Sequence, residues 1–262
     1  MILLKHELKQ NAKTLLIWSL SVGLICYACI LLYQSLADRI GGIADTYAQM
    51  GDMSKALGLN KVSIATLDGY FATEIALMFG LGAGMFASML GVSSLSKEEE
   101  GHTSEFLYTL PYSRASILTW KFVSLIVMLL IFNIICIGLE SLGLWQTGLH
   151  FSIRPFVIYH FLAFVMQLEL ASICFLFSSM NRRKQSGLAL GLTLLLYVMD
   201  MIGRIIPDLE NIKYMTPYYF ANGADIFSKT KLDNSLPVIA IAITCLALIS
   251  SFIIYQKRNL SA

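Results

Sequence analysis

Few side chains in this 262-residue sequence could do covalent or metal chemistry. Cys26 and Cys29 have C-x-x-C spacing, which can serve a metal or redox centre. No second pair follows, and apolar residues surround both. Cys136, Cys174 and Cys245 also fall in apolar runs, so buried inert thiols are the simpler reading. His6, His102, His150 and His160 are scattered. No G-x-x-x-x-G-K-[ST] phosphate loop, H-E-x-x-H pair or G-x-S-x-G elbow occurs. The expectation is a chain that is not an enzyme, with no catalytic residue, no metal site and no cofactor of its own.

The remaining candidates are charges placed among apolar residues. An ionisable group at bilayer depth costs about 2.5–3.5 kcal/mol on insertion scales, so each needs a reason to be there. Glu169 sits in VMQLELASICF, with His160 nine residues earlier. Asp200 and Arg204 are four apart, so they share a helix face and can pair. Glu169 reads either as part of a polar pathway or subunit interface, or as a packing residue beside Gln167 and Ser172. Asp200 and Arg204 read first as a structural pair, and as a pathway element second. Glu74 and Glu140 fall near the ends of apolar runs, where water is expected to reach them.

The elements that carry these residues follow from composition. The chain is 56% hydrophobic and 14% charged, with mean hydropathy +0.68. Soluble domains carry about 25% charged residues, so this chain lacks the polar surface to face water. A net charge of +2 gives no reason to expect nucleic acid. A membrane helix needs about 20 mostly apolar residues. Six stretches qualify, at about 14–33, 70–95, 117–139, 155–178, 186–206 and 237–255. The fold class is therefore all-α, a polytopic membrane protein with six transmembrane helices. The charged first thirteen residues lead into a span of full length and do not read as a cleavable signal peptide.

Lysine and arginine set the orientation. With the N-terminus inside, the inner segments hold Lys5, Lys9, Lys13, Lys97, Arg114, Lys121, Arg182, Arg183, Lys184, Lys257 and Arg258. The longer outer segments hold eight basic residues. The short loop NRRK at 181–184 is the clearest signal, and both termini are expected inside. Two outer loops, 34–69 and 207–236, hold regular apolar residues. Gly41–Gly42, Gly51 and Gly58 are expected to break helices in the first. Gly80 and Gly84, and again Gly187 and Gly191, have the G-x-x-x-G spacing that lets helix backbones approach closely. That face fits either packing within the chain or a subunit interface.

One polar segment is longer than a turn requires. Residues 95–114 read LSKEEEGHTSEFLYTLPYSR. Ser96 and Glu99 have capping-box spacing, and Glu98, Glu99 and Glu100 suit the positive end of a helix dipole. Gly101 is expected to interrupt that helix. A second short helix through EFLYTL would place Phe106, Leu107 and Leu110 on one side, and Pro111 ends it. Ser113 can cap the next span. Acidic residues are not favoured beside anionic lipid. A protein partner and a solvated cap both remain open as explanations.

This segment resembles the cytoplasmic loop of type-2 ATP-binding-cassette (ABC-2) export permeases, which reads roughly E-x-x-x-G-x-T-x-E-F-L-x-x-x-P-x-S-R-x-x-I. The matching residues are Glu98, Gly101, Thr103, Glu105, Phe106, Leu107, Pro111, Ser113, Arg114 and Ile117. The opening KHELKQNAKTLLIW is similar to the family's basic elbow helix. Tyr214, Pro217, Tyr218 and Phe220 stand in a Y-x-x-P-F-x-Y-F-type element, with Tyr218 where Phe is usual. The closing YQKRNL has Asn259 in place of the family's acid.

The resemblance implies a single permease domain over 1–262, with an N-terminal interfacial elbow helix and a cytoplasmic coupling helix between spans 2 and 3. It implies a transmembrane exporter subunit in a bacterial cytoplasmic membrane. Its partners would be cytoplasmic ABC ATPase subunits, which bind ATP and Mg2+, and a second permease subunit, identical or related. The coupling residues would be Glu98, Glu99, Glu100, Gly101, Thr103, Glu105, Phe106, Leu107, Pro111 and Arg114. The expected substrate is a peptide, drug or other amphipathic molecule. Pathway or interface candidates are Glu169, His160, Asp200, Arg204, Gly80 and Gly84. The alternatives are an ion- or proton-coupled transporter using Glu169, and a non-transporting immunity or sensor protein.

Overall fold

The computed structural model describes residues 2–101, 112–228 and 235–257. Backbone groups in hydrocarbon must be satisfied within the segment, which favours helices throughout. Among the described residues there is no strand, and six helices are long and apolar enough to cross a membrane. Span 1 is Ile2–Ala48. Span 2 is Leu67–Ser93, with a π-helical turn at Phe71–Ile75 that carries Glu74. Span 3 is Arg114–Thr147, span 4 Ile153–Met180, span 5 Ser186–Ile205 and span 6 Ser235–Lys257.

Several boundaries have visible causes. The Ser113 side chain accepts a hydrogen bond from Ser116 N and caps span 3, as its sequence position suggests. Gly148 closes that helix with φ 63°, a left-handed conformation natural to glycine. Span 5 ends at Ile205, with Pro207 two residues on.

Span 1 departs most from expectation. It is one unbroken helix of 47 residues, about 70 Å long at 1.5 Å per residue. The basic N-terminal stretch forms its first turns and is not set apart as an elbow helix. Leu, Lys, Glu, Gln and Ala favour helix there, and nothing before Gly23 breaks it. The helix also runs through Gly41 and Gly42. Beyond them Ala44, Leu59 and Ile64 form a small core with Ile40 and Leu57, which offsets the glycines' cost. Gly51 (φ 59°) and Gly58 (φ 74°) do break the chain, on either side of a short helix, Asp52–Leu57.

Spans 2 and 4 form the centre, with 67% and 61% of their apolar stretches buried, against 22% in spans 5 and 6. Span 1 packs along span 3, span 2 along span 4, span 6 on span 4 and span 5 on span 2. The start of span 1 and the end of span 6 both meet the start of span 3 at one end of the bundle, called here the terminal end; the opposite end is the far end.

The connection from span 5 to span 6 is not a surface loop. After a 3-10 segment, Pro207–Tyr214, the chain turns inward, and Thr216, Pro217, Tyr218 and Phe220 are buried. The Tyr218 hydroxyl faces Gly84 of span 2 and lies near Leu170 of span 4. A short helix, Gly223–Phe227, follows with all five residues buried. Non-helical backbone is tolerated at such depth because protein, not lipid, surrounds it.

Candidate functional site

At the terminal end, span 2 passes through Ser94 and Leu95 into a short helix, Ser96–Glu100. Ser96 does not cap it. Its hydroxyl donates to the Val92 carbonyl four residues back. The Ser178 hydroxyl of span 4 accepts hydrogen bonds from Leu95 N and Ser96 N instead. A tertiary contact has replaced the local capping box.

This helix carries half of a buried ionic network. Lys97 pairs with Glu7 of span 1. Lys121 of span 3 reaches Glu7 at 2.7 Å and Glu98 at 2.6 Å, and donates to the Ser94 carbonyl at 3.0 Å. All four charged residues are at least nine-tenths buried, and their charges cancel. Burial, with Lys121 close by, holds the Lys97 ammonium below the usual lysine range, although Glu7 and Glu98 oppose the shift. The network ties spans 1, 2 and 3 together where the linker begins.

Of the expected coupling residues, Glu98 therefore points inward, to Lys121. Glu99 is half-buried and Glu100 exposed. The Glu100 carboxylate accepts a hydrogen bond from Lys184 N, linking this helix to the span 4–span 5 connection. Gly101 follows at the C-terminal end of the helix. Arg114 opens span 3 and donates to the Gln256 carbonyl of span 6. Thr103, Glu105, Phe106, Leu107 and Pro111 lie outside the described residues.

The pathway candidates fall into three separate places. His160 meets Glu140, with Nε2 2.9 Å from Oε2, though neither group is aligned for a hydrogen bond. Glu140 is fully buried, not at a wet helix end, because span 3 continues about two turns beyond position 139. The pair sits among Phe71, Phe79, Phe156 and Tyr159. Glu169 is also buried, and its Oε2 has no hydrogen-bond partner among the described residues. It borders a small cavity beside Thr216, Pro217 and Phe220 of the inturned segment.

Asp200 and Arg204 do pair, with Arg204 Nε donating at 2.9 Å. The arrangement is larger than an i,i+4 pair. Arg204 also donates to Asp225 at 2.7 Å and to the Tyr219 carbonyl at 3.1 Å, and lies over the Tyr219 ring. Lys61, from beyond span 1, pairs with Asp225 as well. Burial alone would raise the Asp225 carboxyl, but Arg204 and Lys61 outweigh it and hold the group below the usual aspartate range. This cluster pins the inturned segment to span 5.

Gly80 and Gly84 face Tyr159 and Tyr218, and Gly91 meets the Ala171 carbonyl. This small-residue face of span 2 is thus occupied inside the chain. A methyl added at Gly187 or Gly191 of span 5 would meet no other group within 4 Å among the described residues. Sequence reasoning missed Asn133, which exchanges two hydrogen bonds with Gln167 between spans 3 and 4, and the network partners Glu7 and Lys121. Their only sequence signal was a charge or amide beside an apolar run. Among the described residues no group of three His, Cys, Asp or Glu could hold a metal ion.

Six helices long and apolar enough to cross a membrane, buried polar contacts between them and an ion-locked linker at one end define a multi-pass membrane protein. More narrowly, the chain belongs to the ABC-2 family transporter proteins, whose family model matches residues 1–260. No curated protein matches the chain.

Proposed function

We propose that this chain is the permease subunit of an ATP-driven exporter in a bacterial cytoplasmic membrane, with both termini in the cytoplasm. It lines the substrate path together with a second permease subunit, identical or related. Cytoplasmic ATPase subunits bind ATP and Mg2+, and this chain does not hydrolyse ATP itself. Family membership and the six spans support the class.

The observation that carries the coupling role is the buried network of Glu7, Lys97, Glu98 and Lys121. A linker fastened this way moves spans 1, 2 and 3 as one body when pushed. Glu99 and Glu100 remain nearer the surface, ahead of residues 102–111, which bear the family-like EFL sequence. The open glycine face of span 5 supports close approach of another helix there. The substrate class is a peptide, drug or other amphipathic molecule.

Co-purification tests this reading. The chain, isolated from its native membrane, should bring down an ATPase bearing a phosphate loop. Glu105→Lys should weaken that association while membrane abundance stays normal. Equal recovery of the ATPase with Glu105→Lys would remove the coupling assignment.

A further inference from the structure

A second feature of the terminal end shares Lys97 with the buried network. A cavity of about 250 Å³ opens there between the starts of spans 1 and 5 and the end of span 2. Drug-sized ligands take about 300–1,000 Å³, so this one suits a smaller group. Its lining includes Lys97, Lys184, Asn11 and Ser186, with Phe86 and Leu90 further along span 2 from its end. Among the described residues no carboxylate is part of its lining. Phe86 lies seven residues inside the end of span 2, about 10 Å along the helix. The cavity therefore passes from polar to apolar over the depth at which a lipid headgroup meets its acyl chains.

The Glu100 carboxylate sits beside this opening, accepting a hydrogen bond from Lys184 N. Lys97 is matched by Glu7, but the Lys184 ammonium is exposed and in no ion pair among the described residues. The start of span 5 adds donors. Its N-cap, Gln185, makes no capping bond, because its side chain donates to Asn181 instead. The first N–H groups of that helix keep the partial positive charge that suits a phosphate.

We infer that this cavity binds the phosphate ester group of an anionic phospholipid from the leaflet on the side of the chain termini. The phosphate sits by the Lys184 ammonium and the start of span 5, beside the Lys97–Glu7 pair, and the glycerol end rests on Phe86 and Leu90. A water-soluble phosphate ester offers the same headgroup chemistry without the apolar end.

The test uses the full-length chain, with whatever co-purifies, in detergent. Native mass spectrometry reads retention of added phosphatidylglycerol against phosphatidylcholine. Phosphatidylglycerol should be retained in preference, and Lys184→Gln should reduce that retention about fivefold, the loss of one basic contact near an anionic headgroup. Lys55→Gln, at the far end, should leave it unchanged. Elution volume checks that both variants fold. Retention that withstands excess glycerol 3-phosphate supports a lipid occupant. Displacement by glycerol 3-phosphate, but not by glycerol, supports the phosphate site with a soluble ester as its occupant. Equal retention of the two lipids, or phosphatidylglycerol retention unaffected by Lys184→Gln, overturns the inference.

Discussion

Lys121→Met is the sharpest test of the buried network. Methionine keeps the apolar stem of the side chain and removes its ammonium. That ammonium contacts Glu7, Glu98 and the Ser94 carbonyl, and the lysine is only 3% exposed. Its loss leaves two buried carboxylates with Lys97 as the remaining cation. Breaking a buried ion pair by removing one partner costs about 3–5 kcal/mol. At about 2–4 °C per kcal/mol for chains of this size, the apparent Tm should fall by at least about 6 °C. Fluorescence-detected size-exclusion chromatography after heating measures it. Lys121→Met combined with Glu98→Gln restores charge balance, because Glu7 and Lys97 still pair. The double variant should recover most of the loss, and the double-mutant cycle should show a coupling well above about 0.5 kcal/mol. The reasoning fails if Lys121→Met shifts Tm by less than about 2 °C, or if the double variant is no better than the single one.

Three further outcomes follow from other contacts. Gly91→Ala drives a methyl into the Ala171 carbonyl and should cost about 1–3 kcal/mol as overpacking. Gly187→Ala adds a methyl that meets nothing within the chain, so the Tm of the isolated permease chain should not fall, and a loss like that of Gly91→Ala would contradict the packing described. Asp225 titrates lower in the fold than its ordinary value of 3.8. Its contribution is therefore complete above that value and lost as pH falls through the lower, folded one. The Tm difference between wild type and Asp225→Asn should be flat from about pH 5 to 8 and shrink only below about pH 4; shrinkage near pH 6 would count against the cluster. Glu169→Gln should preserve abundance and leave transport dependent on the partner ATPase. Transport that follows an ion gradient and stops in Glu169→Gln would instead favour an ion-coupled carrier.

The six spans were legible because length and hydropathy report directly on burial in lipid. Their ends were less so, and this misplaced Glu140: a span taken to stop at 139 leaves it in water, whereas the helix reaches Thr147 and buries it beside His160. The capping box at Ser96 was a correct local pattern overridden by Ser178, 82 positions away. Lys97 and Lys121 entered the sequence reading only as charges that set orientation. Their partner Glu7 is 90 and 114 positions distant, and no local period reports such a contact. The inturned segment was half legible. Its aromatic and apolar residues argued against disorder, but nothing in PYYFANGADI says that Tyr218 ends opposite Gly84. The Asp200–Arg204 pair was readable from spacing, while Asp225 and Lys61 depend on how two connections fold back.

The order of synthesis gives the terminal-end network a timing. Glu7 is made first, and Lys121 follows 114 positions later. At about 5–20 residues per second, roughly 6–23 s pass before that partner emerges. Until Lys97 and then Lys121 arrive, the Glu7 carboxylate must stay hydrated at the membrane surface, because burying it alone is too costly. Span 1 can cross the bilayer early, yet its first turns cannot dock until spans 2 and 3 arrive with one lysine each. A nascent chain that stalls before residue 121 thus leaves the first turns of span 1 undocked and in view of proteolysis, and completion of the third span is what withdraws them.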